Sequence, residues 1–220
     1  MFLYDECGGD DISLNMVVHI YGGKIPGKGV MITDRYVLTT AKDLPSDAGS
    51  LVVSISEDIV YEEVPVESII KHPDFSGDHN HDIALLKLAR PPSLSGKRKP
   101  ICMLLQARHR QRAANSTNFT IFDSRASNAT SLKVHLINSS ECSTRIETEM
   151  EQDQLCIEEP EKEKEIKYGQ AGDIMGIKTV YSDKDKFVLV GIVSYSLNGL
   201  IILTNVLEYT NWIAGIVTNE

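Results

Sequence analysis

The sequence predicts an all-β fold closed by one helix. Short apolar runs rich in Val, Ile and Thr recur along the chain, each bounded by glycine, proline, asparagine or aspartate. Helical spacing emerges only at the end, where Val206, Tyr209, Ile213, Ile216 and Val217 fall on one face. The four cysteines, Cys7, Cys102, Cys142 and Cys156, are an even set that allows three pairings.

The elements follow in order. Residues 16–21 are apolar and β-branched, a strand, and 22–27 are turn chemistry. Residues 29–40 read as two short strands around Asp34-Arg35. Further strands are expected at 51–55, at 64–70 with Pro65 marking an edge, and at 83–88. Residues 89–100, rich in Pro, Ser and Lys, read as a linker between two sub-domains. Arg108-His109-Arg110-Gln111-Arg112 reads as a solvated surface loop, with a binding patch as the alternative. Strands follow at 119–122 and 132–137, a short helix within 144–154, and a solvated charge run at 158–167. Residues 187–195 and 200–204 are the last strands.

A chain of 220 residues is long enough for one large domain or two packed sub-domains, and 42% hydrophobic content is that of a globular protein. The net charge of −9 argues against general nucleic-acid binding. No apolar run reaches membrane-spanning length. Four N-x-[ST] sequons, at Asn115, Asn118, Asn128 and Asn138, crowd one window and point to a secreted, glycosylated surface rather than to free cytosolic thiols. Residues 1–7 have no basic segment and no apolar segment of signal-peptide length, so a leader and any upstream domain are expected to lie outside this sequence.

Three stretches carry a resemblance. Val37-Leu38-Thr39-Thr40-Ala41-Lys42-Asp43, His81-Asp82-Ile83-Ala84-Leu85-Leu86 and Gly169-Gln170-Ala171-Gly172-Asp173-Ile174-Met175 resemble, in that order, the V-L-T-A-A-H-C, H-D-I-A-L-L and G-D-S-G-G-P motifs of trypsin-like serine proteases. The likeness runs from about residue 16 to 217. It implies two six-stranded antiparallel β-barrels with a closing helix: a strap at 1–13 tethered through Cys7, a first barrel at 14–95, a second at 101–205 and the helix at 206–218. It pairs Cys7 with Cys102, whose segment resembles I-C-L-P, and Cys142 with Cys156.

The same resemblance marks what has changed. The triad-equivalent positions hold Lys42, Asp82 and Ala171, so the general base and the nucleophile are replaced and only the acid remains. Acyl transfer needs an attacking atom, a base for its proton and a group that holds the base. A methyl cannot attack, and a lysine ammonium holds its proton at neutral pH. The Asp that pairs with a new α-amine in active relatives falls at Gln170, and no Arg or Lys precedes Lys24 as a cleavage site. The cysteines flanking the former base fall at Gly27 and Asp43, lost together. The former oxyanion and pocket positions are Gly169, Gln170, Glu165, Ser194, Tyr195 and Ser196, with Ser196 replacing a glycine that opens the pocket.

Two readings of the old triad stay open: an ion pair of Lys42 with Asp82, or Lys42 facing solvent while Asp82 bonds backbone amides. His79 and His81 invite a metal reading, but no third ligand is evident, so neither metal nor cofactor is expected. The resemblance implies a non-catalytic homologue, like those of the large arthropod set, that binds a protein partner in an extracellular cascade. Its oligomeric state is left open. The alternatives are an active serine-type endopeptidase with relocated residues, and a degenerate product without selected function.

Overall fold

The structure, a computed structural model, describes residues 2–8, 17–23, 26–57, 60–93, 99–123, 130–159 and 169–218. β1 (Val17–Tyr21), β2 (Gly27–Met31), β3 (Tyr36–Thr39), β4 (Val52–Glu57), β5 (Val60–Lys71) and β6 (Ala84–Leu88) form a closed antiparallel barrel in the order β1-β2-β3-β6-β5-β4. A second sheet is built from β7 (Phe119–Asp123), β8 (Thr130–Val134), β9 (Leu136–Ile137), β10 (Gln154–Glu158), β11 (Ile174–Tyr181), β12 (Lys184–Leu197) and β13 (Leu200–Asn205). Its order is β8-β7-β11-β12-β13-β10-β9.

The resemblance implies six strands in this second sheet and the structure has seven, for a simple reason. Only His135 separates β8 from β9, and these two strands stand at opposite ends of the sheet. One stretch of chain therefore serves both ends, and the ring comes together there.

The alternation of side chains explains why so many strands are buried on both faces. In β3, Val37 enters the first barrel's interior, while Tyr36 and Leu38 join the core between the barrels. In β12, Val188 and Val190 fill the second barrel, while Phe187 and Leu189 face the first. That shared core also takes Val206, Tyr209 and Ile213, so α3 (Thr210–Val217) seals the seam.

Two other helices differ from the sequence expectation. The Arg-rich stretch is not a loop but α1 (Ala107–Ala114), which buries Ala113. The short helix lies earlier than expected, as α2 (Ser139–Ile146). Asn138 caps it by accepting from the Glu141 amide at 2.8 Å, and Glu147 ends it in the left-handed region at φ 57°. β10 is a strand with no counterpart in the sequence reading, because its apolar run, Leu155-Cys156-Ile157, is too short to signal one.

The N-terminal strap lies antiparallel to residues 100–104. The Leu3 amide donates to the Met103 carbonyl at 2.9 Å and the Gly8 amide to Pro100 at 2.8 Å. Cys7 is bonded to Cys102, and Cys142 to Cys156, the pairs that the resemblance implies. The first bridge spans 95 residues and the second 14. Loop-closure entropy therefore makes them unequal. Replacing Cys7 and Cys102 by Ser should lower unfolding stability by about 4–5 kcal/mol, against about 3 kcal/mol for the Cys142 and Cys156 pair, as read by denaturant titration.

Candidate functional site

Asp82, just after the turn at 80–81 and two residues before β6, is 1% exposed and sits between the two barrels. Its Oδ1 accepts from the backbone amides of Ala41 and Lys42 at 2.7 and 2.8 Å. Its Oδ2 accepts from the Ser194 hydroxyl at 2.5 Å. The Thr204 hydroxyl on β13 donates to its carbonyl at 3.1 Å. Ser194 reaches Asp82 because β12 bulges between Val193 and Tyr195, which aims that one side chain out of the ladder. Burial raises the Asp82 pKa above the ordinary carboxylate value, and its hydrogen bonds to Ser194, Lys42 and Ala41 oppose this.

Of the two open readings, the Lys42–Asp82 ion pair is not formed. Both Asp82 oxygens are occupied, and Lys42 Nζ lies 2.6 Å from His79 Nε2 and 3.4 Å from Asp78. The reading in which Asp82 bonds amides holds, but Lys42 does not simply face solvent. His79 Nδ1 is in turn 2.9 Å from Ser194 Oγ. The direction of these bonds follows from the two ends. An ammonium only donates, so His79 Nε2 accepts and Nδ1 carries the hydrogen. Nδ1 then donates to Ser194, and Ser194 donates to Asp82. A neutral imidazole and a hydroxyl thus connect the Lys42 charge to the Asp82 charge. Burial, with Lys42 second, holds the His79 pKa below its ordinary value, as a neutral ring in this chain requires. The His79 ring also lies over Tyr195, with centroids 4.0 Å apart.

His79 and His81 diverge, which separates the pair noted in the sequence. His81 takes the left-handed backbone at φ 51° and its Nδ1 lies 2.8 Å from the Tyr209 hydroxyl. That hydroxyl donates to Asp153. Among the described residues no three His, Cys, Asp or Glu side chains are grouped to hold a metal ion.

The turn bearing Ala171 is held by an interaction that the sequence reading does not contain. Asp173, 1% exposed, receives Lys28 Nζ at 2.8 Å from the other barrel and the Gln170 amide at 3.0 Å. Lys28 is itself only 8% exposed. Gln170 itself is exposed. Gly172, at φ 87°, is required by contact: a Cβ there would stand 2.5 Å from the Lys28 carbonyl oxygen. Half of the signal for this pair was present. Asp173 stands where the motif it resembles has a glycine, and a carboxylate in so tight a turn calls for a cation; nothing in the quoted motifs marked Lys28 as that cation.

The former pocket wall is packed. Ser196 donates to the Gly169 carbonyl at 2.8 Å. A Cβ on Gly169 would meet Ser196 Oγ at 2.6 Å and Ile201 Cγ1 at 2.7 Å. Nothing in the sequence distinguished Ile201 from any other apolar strand residue. Glu165 and Asn128 lie outside the described residues, whereas Asn115, Asn118 and Asn138 are all exposed. Beside Ala171, a cavity of about 160 Å³ is bordered by Gly27 and Asp43, the two positions where the motif's cysteines are missing.

The buried pair can be tested by a double-mutant cycle. Lys28→Met or Asp173→Ala alone leaves one buried charge unpaired and should each cost about 3–5 kcal/mol, while the double variant should cost less than the sum, as measured by denaturant unfolding. The histidines set the acid response. His19, His72 and His79 all have folded pKa values below the ordinary value, chiefly through burial. Below about pH 6.5 the unfolded chain then binds more protons than the folded one. Stability is full above that pH and should fall as pH drops through about 6.5 toward the folded values, whereas the raised Asp82 acts in the opposite sense at lower pH. Thermal melts from pH 7.5 to 5.5 should show this decline, and His79→Gln should flatten it.

The comparisons with known proteins agree with this fold. The sequence model of the family described as Trypsin matches residues 8–213. Ovochymase of Halocynthia roretzi is 36% identical over 90 residues, which is 38% of this chain and 6% of that protein. The chain thus spans a small part of that relative's length. With the family match covering both barrels, the three motif stretches and the first half of the closing helix, the chain belongs to the trypsin family.

Proposed function

We propose that the chain is a non-catalytic serine protease homologue, a secreted binding or regulatory protein that acts as cofactor or decoy in an extracellular proteolytic cascade such as innate immunity. The observation that carries this reading is Ala171 in the nucleophile turn, with Lys42 where the base would stand. The hydrogen-bond chain from Lys42 to Asp82 supports it, since the remaining polar groups of the cleft are engaged with one another. Ser196 and Ile201, packed against Gly169, add to it by filling space that a substrate side chain would need. Two disulfides and three exposed sequons support an extracellular setting. A groove of about 400 Å³ beside His79 and Tyr195, with Asp78 and Glu149 on its rim, gives a protein partner bearing basic residues a place to dock.

One observation favours a second reading, an endopeptidase with relocated residues. Ser194 Oγ stands 2.9 Å from His79 Nδ1, within the reach of a nucleophile and its base. Against it, the bonds run the wrong way: His79 gives its hydrogen to Ser194 rather than taking one. Ser194 is also only 6% exposed.

A fluorophosphonate probe separates the two. The purified full chain should remain unlabelled beside a labelled trypsin-like enzyme while circular dichroism reports a folded β protein. Labelling that disappears with Ser194→Ala would establish the second reading and sink the first.

A further inference from the structure

Away from the cleft, α1 and the outer half of β11 enclose a groove of about 540 Å³. One wall is basic, with Arg108, His109 and Arg112. The other is apolar, with Ile177, Val180 and Tyr181. Val180 is 68% and Tyr181 42% exposed, large for apolar side chains on a folded domain. From Ile174, next to the Ala171 turn, the strand rise of about 3.3 Å per residue puts Tyr181 about 20 Å from the cleft.

Arg112 lies in the last turn of α1, where a cation suits the helix dipole, but the charge at the start of the helix does not serve it. Arg108 and Arg112 are one turn apart, where like charges repel. The first turn has no acidic residue and the N-cap makes no side-chain bond, so Arg108 stands at the positive end of the helix dipole. Arg110 is turned back onto the Leu105 carbonyl. Among the described residues, no carboxylate lies within ion-pair distance of Arg108 or Arg112; Arg108 Nε donates to the Gln106 side chain at 3.2 Å. These cations sit together on a chain whose net charge is −9. A partner that brings negative charge removes the repulsion and satisfies the exposed helix end.

We propose that this groove is a docking site for an extended, acidic protein segment that carries apolar side chains between its carboxylates. Charge complementarity with Arg108, His109 and Arg112 sets the sign of the partner. The apolar wall sets its class. A sulfated glycan would match the arginines but would leave Val180 and Tyr181 exposed, whereas a peptide covers both walls. β11 pairs with β7 only at Met175 and Gly176, so beyond that point an extended segment can lie alongside the strand with no described strand in its way. The inference goes beyond the cleft reading and stands whether or not the cleft is catalytic.

The test is fluorescence anisotropy on the full chain, with a labelled peptide in which Glu alternates with Leu and Tyr, the same peptide with Lys in place of Glu, and a labelled heparin oligosaccharide. The Glu peptide should bind, more weakly as salt rises, and the Lys peptide should not. Arg108→Glu with Arg112→Glu, and separately Val180→Asp, should each weaken binding about tenfold or more. Thermal midpoints should stay within a few degrees of the parent's, since all three positions are exposed. Equal binding of the Lys peptide, undiminished binding by either variant, or binding of the oligosaccharide alone would overturn the proposal.

Discussion

A carboxylate taken out of water must be given donors or surrender its charge. Among the described residues, two are buried at the seam between the barrels, Asp82 and Asp173, each 1% exposed. Each is satisfied from both sides. Asp82, from the first barrel, takes amides of its own barrel and the Ser194 hydroxyl of the second. Asp173, from the second, takes an amide of its own turn and the Lys28 ammonium of the first. Apolar packing at the seam tolerates small slips, but these bonds do not. They set the distance between the barrels and the placement of everything in the cleft.

The paired changes follow from the same constraint. Lys28 without Asp173, or Asp173 without Lys28, would be a lone charge in an apolar seam. A chain that keeps its full stability therefore carries both or neither. The positions Gly27 and Asp43 obey the corresponding rule for sulfur: both cysteines are gone, and all four that remain are bonded. The cavity beside Ala171 lies between those two positions, where no bridge now fills the space.

What the sequence made legible was whatever depends on local pattern or on ordered motifs. The first-barrel strands, the closing helix, Asp82 and Ala171 are of this kind. Helix α2 was legible too, since Asn138 followed by Glu141 is an N-cap signal. The polar run at 144–154 placed the expected helix too late in the chain. Helix α1 was not legible: it lacks an acidic first turn and a capping side chain, so its Arg-rich run resembles a loop. His79 drew notice for the wrong chemistry. Residues 42, 79 and 194 meet only once both barrels are folded, and no spacing in the chain announces that meeting. The same holds for Ile201 against Gly169.

The direction of the Lys42–His79–Ser194–Asp82 chain decides how the cleft is to be understood. Its ends are fixed by charge, because an ammonium can only give hydrogen bonds and a carboxylate can only accept them. Every link between is therefore oriented toward Asp82. A nucleophilic hydroxyl needs the opposite, with its hydrogen held by a base that can keep it. Ser194 could lose its proton only to Asp82, and a protonated Asp82 would give up the charge that the Ala41 and Lys42 amides are arranged to hold. In the non-catalytic reading proposed above, the interaction that orders the cleft is also the one that withholds a nucleophile from it. Order without an attacking atom is what a recognition surface requires, since side chains already fixed lose little further freedom when a partner docks.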